Sequence, residues 1–188
     1  MIKLVCSFLI ILFSAEPCMA QPNADQWAAA EKRLVRLSPS AFPELPRAVS
    51  RYLSRHGYTI PQSSQRLECH NVISGQFRQK GQTDRAVLAS RKGASRILVF
   101  WNGSPTNPSG IAETADRSFP ESNEKGEIRF SRSIHRAGRK YIQDHHQAYG
   151  SPKPPPIRHD TINDGFDGKA STVRYFNGRQ WIELQGAD

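Results

Sequence analysis

A polar segment near residue 160 holds the side chains best suited to chemistry. Within nine positions it collects one histidine, three aspartates and one asparagine: His159, Asp160, Asn163, Asp164 and Asp167. An imidazole beside carboxylates can exchange protons with a substrate, so His159, Asp160 and Asp164 are candidates for general acid–base catalysis. Oxygen-bearing side chains also suit a hard cation. The metal candidates are Asp160, Asn163, Asp164 and Asp167.

The same segment matches a calcium-binding loop only in part. Counted from Asp160, an EF-hand loop would have Asp164 at position five and Gly165 at position six, as required. Ile162 stands at position three, where a ligand is needed, and Ser171 replaces the glutamate of position twelve. We therefore favour a polar turn whose side chains cap backbone amides, and we predict no bound metal.

Other signatures of catalysis or cofactor binding are missing from the sequence. His145 and His146 are adjacent, and neighbours on a helix point about 100° apart, so they are poorly placed to share one ion. The chain has no G-x-S-x-G nucleophile elbow and no glycine-rich phosphate loop. We predict no cofactor.

Basic residues form two clusters in a chain whose net charge is +9. Three arginines recur four positions apart, which places them on one face of a helix; they are Arg47, Arg51 and Arg55. The second cluster contains Arg132, Arg136, Arg139 and Lys140. Both clusters are candidates for binding an anion, although a solvated face that aids solubility is the simpler interpretation.

The first twenty residues have the three parts of a secretory signal peptide. Lys3 supplies the charge, residues 4–13 form an apolar run, and Ala20 is the small residue before the cleavage site. That run is shorter than the roughly 20 residues of a membrane-spanning helix. We predict cleavage after Ala20 and a periplasmic or extracellular protein with no transmembrane segment.

Export would limit both the classes of possible partner and the disulfides that the mature chain can form. It disfavours nucleic acid and favours an anionic glycan, a membrane surface or an acidic protein as the partner of the basic clusters. Of the three cysteines, only Cys69 follows the cleavage site, so an intramolecular disulfide is impossible in the mature chain. We expect Cys69 to be a buried, small apolar side chain.

Hydrophobic periodicity predicts the elements that position these residues. Helices are expected at residues 24–37, 44–56 and 136–149. Strands are expected at residues 58–60, 71–77, 85–90, 96–101 and 127–134. A turn at Lys92-Gly93 would join the third and fourth of these strands, and the unbroken run ILVFW indicates a strand covered on both faces.

The C-terminal residues predict a hairpin. Residues 171–176 and 179–184 alternate in polarity around Asn177-Gly178, a pair that suits a two-residue type I′ turn. The predicted fold class is therefore α+β, with N-terminal helices packed on a mostly antiparallel sheet. Residues 21–188 would form a single domain, with a helical part at 21–57 and a mainly β part at 58–188 that contains one inserted helix.

Residues 75–88, which read GQFRQKGQTDRAVL, resemble an FG-GAP-type segment. In that family an acidic loop precedes an apolar strand in integrin-like propeller blades and often binds calcium. Asp84 is the only acid left here, and Arg78 and Lys80 would repel a divalent cation, so we expect the loop without the metal. With the run ILVFW and the ending LQGAD, the pattern is similar to bacterial exported proteins, which implies location and fold but no activity.

Together these patterns predict an exported, non-catalytic binding or interaction protein with a basic surface. The alternative is a small secreted hydrolase whose polar site lies around residues 159–167.

The predicted signal peptide can be tested by mass. We expect the protein recovered outside the cytoplasm to begin at Gln21. Replacing Ile11 with arginine should leave the chain uncleaved in the cytoplasm, because a charge interrupts the apolar run that the export machinery recognises. Intact-mass spectrometry of both fractions measures this. An exported chain that retains residues 1–20 would contradict the cleavage site.

Overall fold

A computed structural model describes residues 24–63, 68–122, 127–150 and 152–187. The predicted signal peptide lies outside these residues. The helices are α1 (Ala24–Arg33), α2 (Arg47–Arg55) and α3 (Arg139–Tyr149). The first six strands are β1 (Arg36–Leu37), β2 (Ile60–Pro61), β3 (Val72–Gly75), β4 (Asp84–Arg91), β5 (Ala94–Phe100) and β6 (Ser109–Ala115). The other six are β7 (Pro120–Ser122), β8 (Ile128–Phe130), β9 (Arg132–Ala137), β10 (Thr161–Phe166), β11 (Ala170–Phe176) and β12 (Trp181–Gln185).

The α+β prediction is wrong, because β structure dominates. Among the described residues, twelve strands form four antiparallel sheets and only three short helices occur. Two sheets have four strands each, in the orders β3-β4-β5-β6 (the first sheet) and β12-β11-β10-β9 (the second sheet). The pairs β1-β2 and β7-β8 are small additions. The described residues contain no helix long and apolar enough to cross a membrane.

The apolar run of β5 lies at the centre of the packing, as its sequence predicts. Ile97 and Val99 face the second sheet and join a buried cluster with Ile134 of β9. The alternate residues Leu98 and Phe100 face the opposite side and join a second cluster. A strand buried on both faces needs no polar alternation, which explains the continuous apolar run.

The helices cover much less of the sheets than predicted. Val49 and Leu53 of α2 belong to the cluster on the outer side of the first sheet. Helix α1 ends at Arg33 instead of residue 37, and it contacts β7 and β8 rather than a four-stranded sheet. The predicted arrangement of two N-terminal helices packed on one sheet is therefore incorrect.

The predicted Lys92-Gly93 turn is confirmed, whereas the two-residue turn predicted at Asn177-Gly178 is not. Lys92 and Gly93 both have positive φ angles, 54° and 77°, and connect the paired residues Arg91 and Ala94. Such a two-residue loop has the type I′ signature. At the C-terminal hairpin Phe176 pairs with Trp181, so four residues connect the strands. The side chain of Asn177 accepts hydrogen bonds from the backbone N–H groups of residues 179 and 180, which replaces the predicted two-residue turn.

A buried arginine joins the two large sheets. The Arg132 side chain is 1% exposed, and its Nε and Nη2 donate to the two carboxylate oxygens of Asp164 at 2.9 and 3.0 Å. Nη1 donates to the carbonyl and hydroxyl oxygens of Ser95 at 3.1 and 3.0 Å, and Nη2 donates to the carbonyl of Ala112 at 2.7 Å. Five N–H donors therefore meet five acceptors, which offsets the cost of burying the charge.

This network corrects two predictions. Arg132 is not part of a surface cluster for anions, because its guanidinium already binds an internal carboxylate. Asp164 is not in a catalytic cleft, because Arg132 holds it and Arg174 lies 3.5 Å from the same carboxylate. Ala112, which supplies a carbonyl, has a φ of 53°, a conformation uncommon for alanine.

The network should contribute strongly to stability. Replacing Arg132 with methionine is expected to cost about 3–5 kcal/mol of unfolding free energy, because Asp164 loses its main buried partner. The double variant Arg132→Met/Asp164→Leu should recover part of that loss, because the buried carboxylate is removed together with its partner and Arg174 keeps its pair with Glu183. Urea titration measures both.

The matched control is Arg96→Met, which removes an arginine from an exposed pair with Glu113. We expect it to cost less than about 1 kcal/mol. A loss for Arg132→Met no larger than this control, or a double variant less stable than the single one, would contradict the stabilising role of the buried Arg132 network.

Candidate functional site

An open groove lies at the end of the β sandwich where β3 and β9 end and β10 begins. Its volume is about 560 Å³, within the roughly 300–1,000 Å³ of small-molecule sites. We call it the basic groove. The side chains that define it are Gln76, Lys80, Arg136, Arg158, His159 and Asp160.

The β3–β4 loop carries Gln76 and Lys80 into the groove, and Asp84 holds this loop in shape. Asp84 is completely buried. One of its carboxylate oxygens accepts the backbone N–H of Arg78 at 3.0 Å, and the other accepts that of Asn102 at 2.8 Å. Asp84 is the one acidic residue of the FG-GAP-like segment. Its carboxylate accepts hydrogen bonds from backbone amides, a role that needs no metal.

Arg136 enters the groove from the end of β9. Its side chain passes so close to Gly75 of β3 that only glycine fits there. A Cβ at Gly75 would lie 2.7 Å from the Phe77 ring and 3.2 Å from Cδ of Arg136. The absent side chain leaves room for both neighbours. The Arg136 side chain is 61% exposed, so its guanidinium is available to a ligand.

His159 and Asp160 form the opposite wall. The His159 ring stacks on Tyr175 with 4.7 Å between centroids, and its Nδ1 donates to the backbone carbonyl of Asp160 at 3.1 Å. One carboxylate oxygen of Asp160 accepts the backbone N–H of Gln76 at 2.9 Å. Arg136 Nη1 is 4.0 Å from this oxygen, too far for a hydrogen bond. Asp160 thus fastens the segment before β10 to the β3–β4 loop.

The groove has a positive electrostatic balance. Lys80, Arg136 and Arg158 contribute three positive charges, and Asp160 contributes one negative charge. A further basic residue, Arg78, lies on the same β3–β4 loop, and its guanidinium is 5.5 Å from the centre of the Trp101 ring.

The structure brings together only part of the predicted polar site. His159 and Asp160 meet in the basic groove, whereas Asp164 points between the sheets. Asn163 faces the other side of β10, and Asp167 accepts hydrogen bonds from Ser63 and Ser133. Among the described residues no group of three potential metal ligands converges.

The physical reason for this dispersal is that the segment forms a central strand, not the predicted turn. In β10, consecutive side chains point to opposite faces, so Asn163 and Asp164 cannot share a ligand. The metal candidates Asp160, Asn163, Asp164 and Asp167 therefore occupy separate environments.

The predicted basic clusters also separate. Arg47, Arg51 and Arg55 are exposed along α2 and form no ion pair with a described residue, so their prediction as an anion site is still open. Arg136 lines the basic groove. Arg139 is exposed at the start of α3, and Lys140 donates to Asp144 one turn later at 2.6 Å.

A serine, a histidine and an aspartate meet elsewhere in an order that does not fit nucleophilic catalysis. Ser133 is fully buried and its Oγ donates to Asp167, while His135 Nε2 lies 3.0 Å from the same Oγ. In a catalytic triad the histidine stands between the carboxylate and the serine. Here the serine stands between them, so the carboxylate does not orient the imidazole through this contact.

Sequence reasoning missed Gln76, Lys80 and Arg158 as members of the site. In the sequence Lys80 indicates only a charge that would repel calcium, and Arg158 adjoins His159 without any motif of its own. Their positions depend on the contact between the ends of β3 and β9, which are about sixty residues apart in sequence. The prediction for Cys69 is also wrong, because this thiol is exposed.

The role of Asp84 can be measured. Asp84→Asn should lower the unfolding free energy by about 1–3 kcal/mol, because an amide cannot accept all the backbone and side-chain N–H groups that the buried carboxylate accepts. Asp144→Asn, an exposed control on α3, should change it by less than about 0.5 kcal/mol. Urea denaturation compares them. Equal stability of the two variants would contradict the role of Asp84.

Comparisons of this chain with protein-family models, with curated proteins and with solved structures found no match. The resemblance of residues 75–88 to an FG-GAP segment stays a prediction.

Proposed function

We propose that this protein is exported and binds an anionic ligand in the basic groove without catalysing a reaction. The observation that carries the proposal is the excess of positive charge there. Lys80 and Arg158 form no ion pair with any described residue, and Arg136 has only the 4.0 Å contact with Asp160. Three cations gathered in one depression repel one another, and an anion would relieve that repulsion.

The chemistry of these cations suits an anionic group with several oxygens. A guanidinium offers paired N–H donors that match the two oxygens of a carboxylate, a sulfate or a phosphate. Arg136 and Arg158 supply two such groups, and Lys80 adds a mobile point charge from the β3–β4 loop. The groove is open to solvent, so the ligand can be one unit of a larger molecule.

The lining argues against the alternative of a hydrolase. The described residues that form the groove include no serine, threonine or cysteine to act as a nucleophile. Of the three candidates for acid–base catalysis, Asp164 lies outside the groove, and the other two each have one polar atom held by the backbone. His159 Nδ1 is held by a backbone carbonyl, and a carboxylate oxygen of Asp160 is held by a backbone amide. Binding therefore explains the arrangement more completely than proton transfer does.

The proposed location supports the choice of ligand class. A chain exported after cleavage at Ala20 would meet anions outside the cytoplasm, such as acidic glycans, lipid headgroups and acidic proteins. Nucleic acid is a poor partner in that setting, and the described residues that line the groove include no Phe, Tyr or Trp on which bases could stack.

The groove can be tested with tripolyphosphate, a small multivalent anion. We expect calorimetric binding at low salt that weakens as salt is added, because salt screens exposed charges. The double variant Arg136→Gln/Arg158→Gln should lose at least about tenfold in affinity, because two charge-assisted contacts are removed.

The matched control is Arg51→Gln/Arg55→Gln, which removes the same charge from α2. We expect its affinity to stay within about twofold of the unaltered protein, because these side chains are outside the groove. Equal losses in the two double variants would assign binding to net charge alone. A loss confined to the α2 variant would move the site to that helix. Either result, or no binding by the unaltered protein, would reject the proposal.

A further inference from the structure

We infer that the anionic ligand of the basic groove is an acidic saccharide, a molecule that carries hydroxyl groups beside its negative charges. This inference rests on the proposed function. The evidence for hydroxyl groups on the ligand is that hydrogen-bond acceptors lie beside the cations of the groove. A site for a simple anion needs donors and positive charge, and acceptors in it would only weaken binding.

The first acceptor is the outer carboxylate oxygen of Asp160. Its other oxygen, Oδ2, receives the Gln76 backbone N–H. No described residue donates a hydrogen bond to Oδ1, although the side chain is 28% exposed and lines the groove. A phosphate or sulfate that carries no proton would be repelled by this oxygen. A hydroxyl group would donate to it and form a charge-assisted hydrogen bond.

The second acceptor is Nε2 of His159. The Asp160 carbonyl can only accept, so Nδ1 must be the protonated nitrogen in the contact between them. In the neutral ring this leaves Nε2 with a lone pair and no partner among the described residues. Stacking on Tyr175 fixes the plane of the ring. Nε2 therefore also matches a hydroxyl donor.

Gln76 adds a neutral donor between these groups. Its side-chain oxygen accepts the Gly81 N–H at 2.9 Å, which turns the amide nitrogen away from that contact. No described residue accepts from this nitrogen, so it can donate to a ring or hydroxyl oxygen. Two acceptors, one neutral donor and three cations match a sugar that carries acidic groups better than they match a polyanion without hydroxyls.

Three probes separate the possible chemistries. Tetragalacturonate carries carboxylates and hydroxyls, tripolyphosphate carries charge alone, and maltotetraose carries hydroxyls alone. We expect calorimetry to give the tightest binding for tetragalacturonate, weaker binding for tripolyphosphate and none for maltotetraose. Vesicles of phosphatidylglycerol, measured by sedimentation, represent a lipid headgroup, and we expect no binding to them.

Asp160→Asn gives the sharpest contrast, because it should shift two affinities in opposite directions. If the new amide keeps its oxygen on the Gln76 N–H, it presents a donor to the ligand where Oδ1 presented an acceptor. We expect tetragalacturonate to bind about tenfold more weakly and tripolyphosphate a few times more tightly, because one hydrogen bond and one repulsion are both lost.

Two further variants make this comparison interpretable. Asp144→Asn removes a carboxylate from α3 and should leave both affinities unchanged. His159→Phe keeps the stacking on Tyr175 but removes Nε2, and it should weaken only tetragalacturonate. It replaces Asp160→Asn if that variant fails to fold, as judged by its thermal unfolding.

Several results would overturn the inference. They are binding of tripolyphosphate without tetragalacturonate, binding of phosphatidylglycerol vesicles without tetragalacturonate, and a shift of both affinities in the same direction by Asp160→Asn. In the first two cases the proposal of an anion-binding groove would stand and only the saccharide would be rejected. Absence of binding to every charged probe would reject the proposed function itself.

Discussion

The guanidinium of Arg132 connects parts of the molecule that the chain itself leaves far apart. It lies between the two four-stranded sheets and binds Asp164 of one sheet together with Ser95 and Ala112 of the other. Its Cζ atom also lies 4.6 Å from the centre of the Phe119 ring. Each N–H of the guanidinium needs an acceptor in a fixed direction. The two sheets can therefore face each other in only one way without leaving this buried charge unpaired. Apolar packing alone would be more tolerant of sliding.

That constraint also determines the groove at the opposite end of the sandwich. β9 begins at Arg132 and ends beside Arg136, so fixing the start of this strand places its end against Gly75 of the first sheet. Asp160, just before β10, then reaches the backbone of Gln76. The cations of the groove come from different segments of the chain. They converge because the Arg132 contacts fix the position of one sheet relative to the other. A rigid scaffold that carries binding residues at its ends is a common arrangement in β proteins.

Local features could be predicted from the sequence where one stretch of chain decides them. The buried strand β5 and the Lys92-Gly93 turn are examples, because an unbroken apolar run and a glycine suited to positive φ need no distant partner. The fold class could not be predicted in this way. Short strands such as β1 and β7 have no clear period of their own, so periodicity underestimates the β content and extends the helices too far.

The candidate site was predicted in part for a related reason. His159, Asp160 and Arg136 were identified by type, but the assumption that charged residues lie on the surface misplaced Arg132 and Asp164. Their partners are on other strands, and no spacing in the sequence indicates such a pair. The Asn163-Asp164-Gly165 stretch looks like a turn by composition. It forms a strand because neighbours on both sides satisfy its backbone hydrogen bonds.

The unusual conformation of Ala112 has a consequence for how this protein meets other copies of itself. Strand β6 is an edge of its sheet, and its pairing with β5 shifts register near Ser95. An even edge exposes a row of N–H and C=O groups on which another chain can assemble. Here one residue is rotated so that its carbonyl turns inward to Arg132, and the row is broken near its middle. The contact that orders the interior thereby also makes this margin a poor template for aggregation.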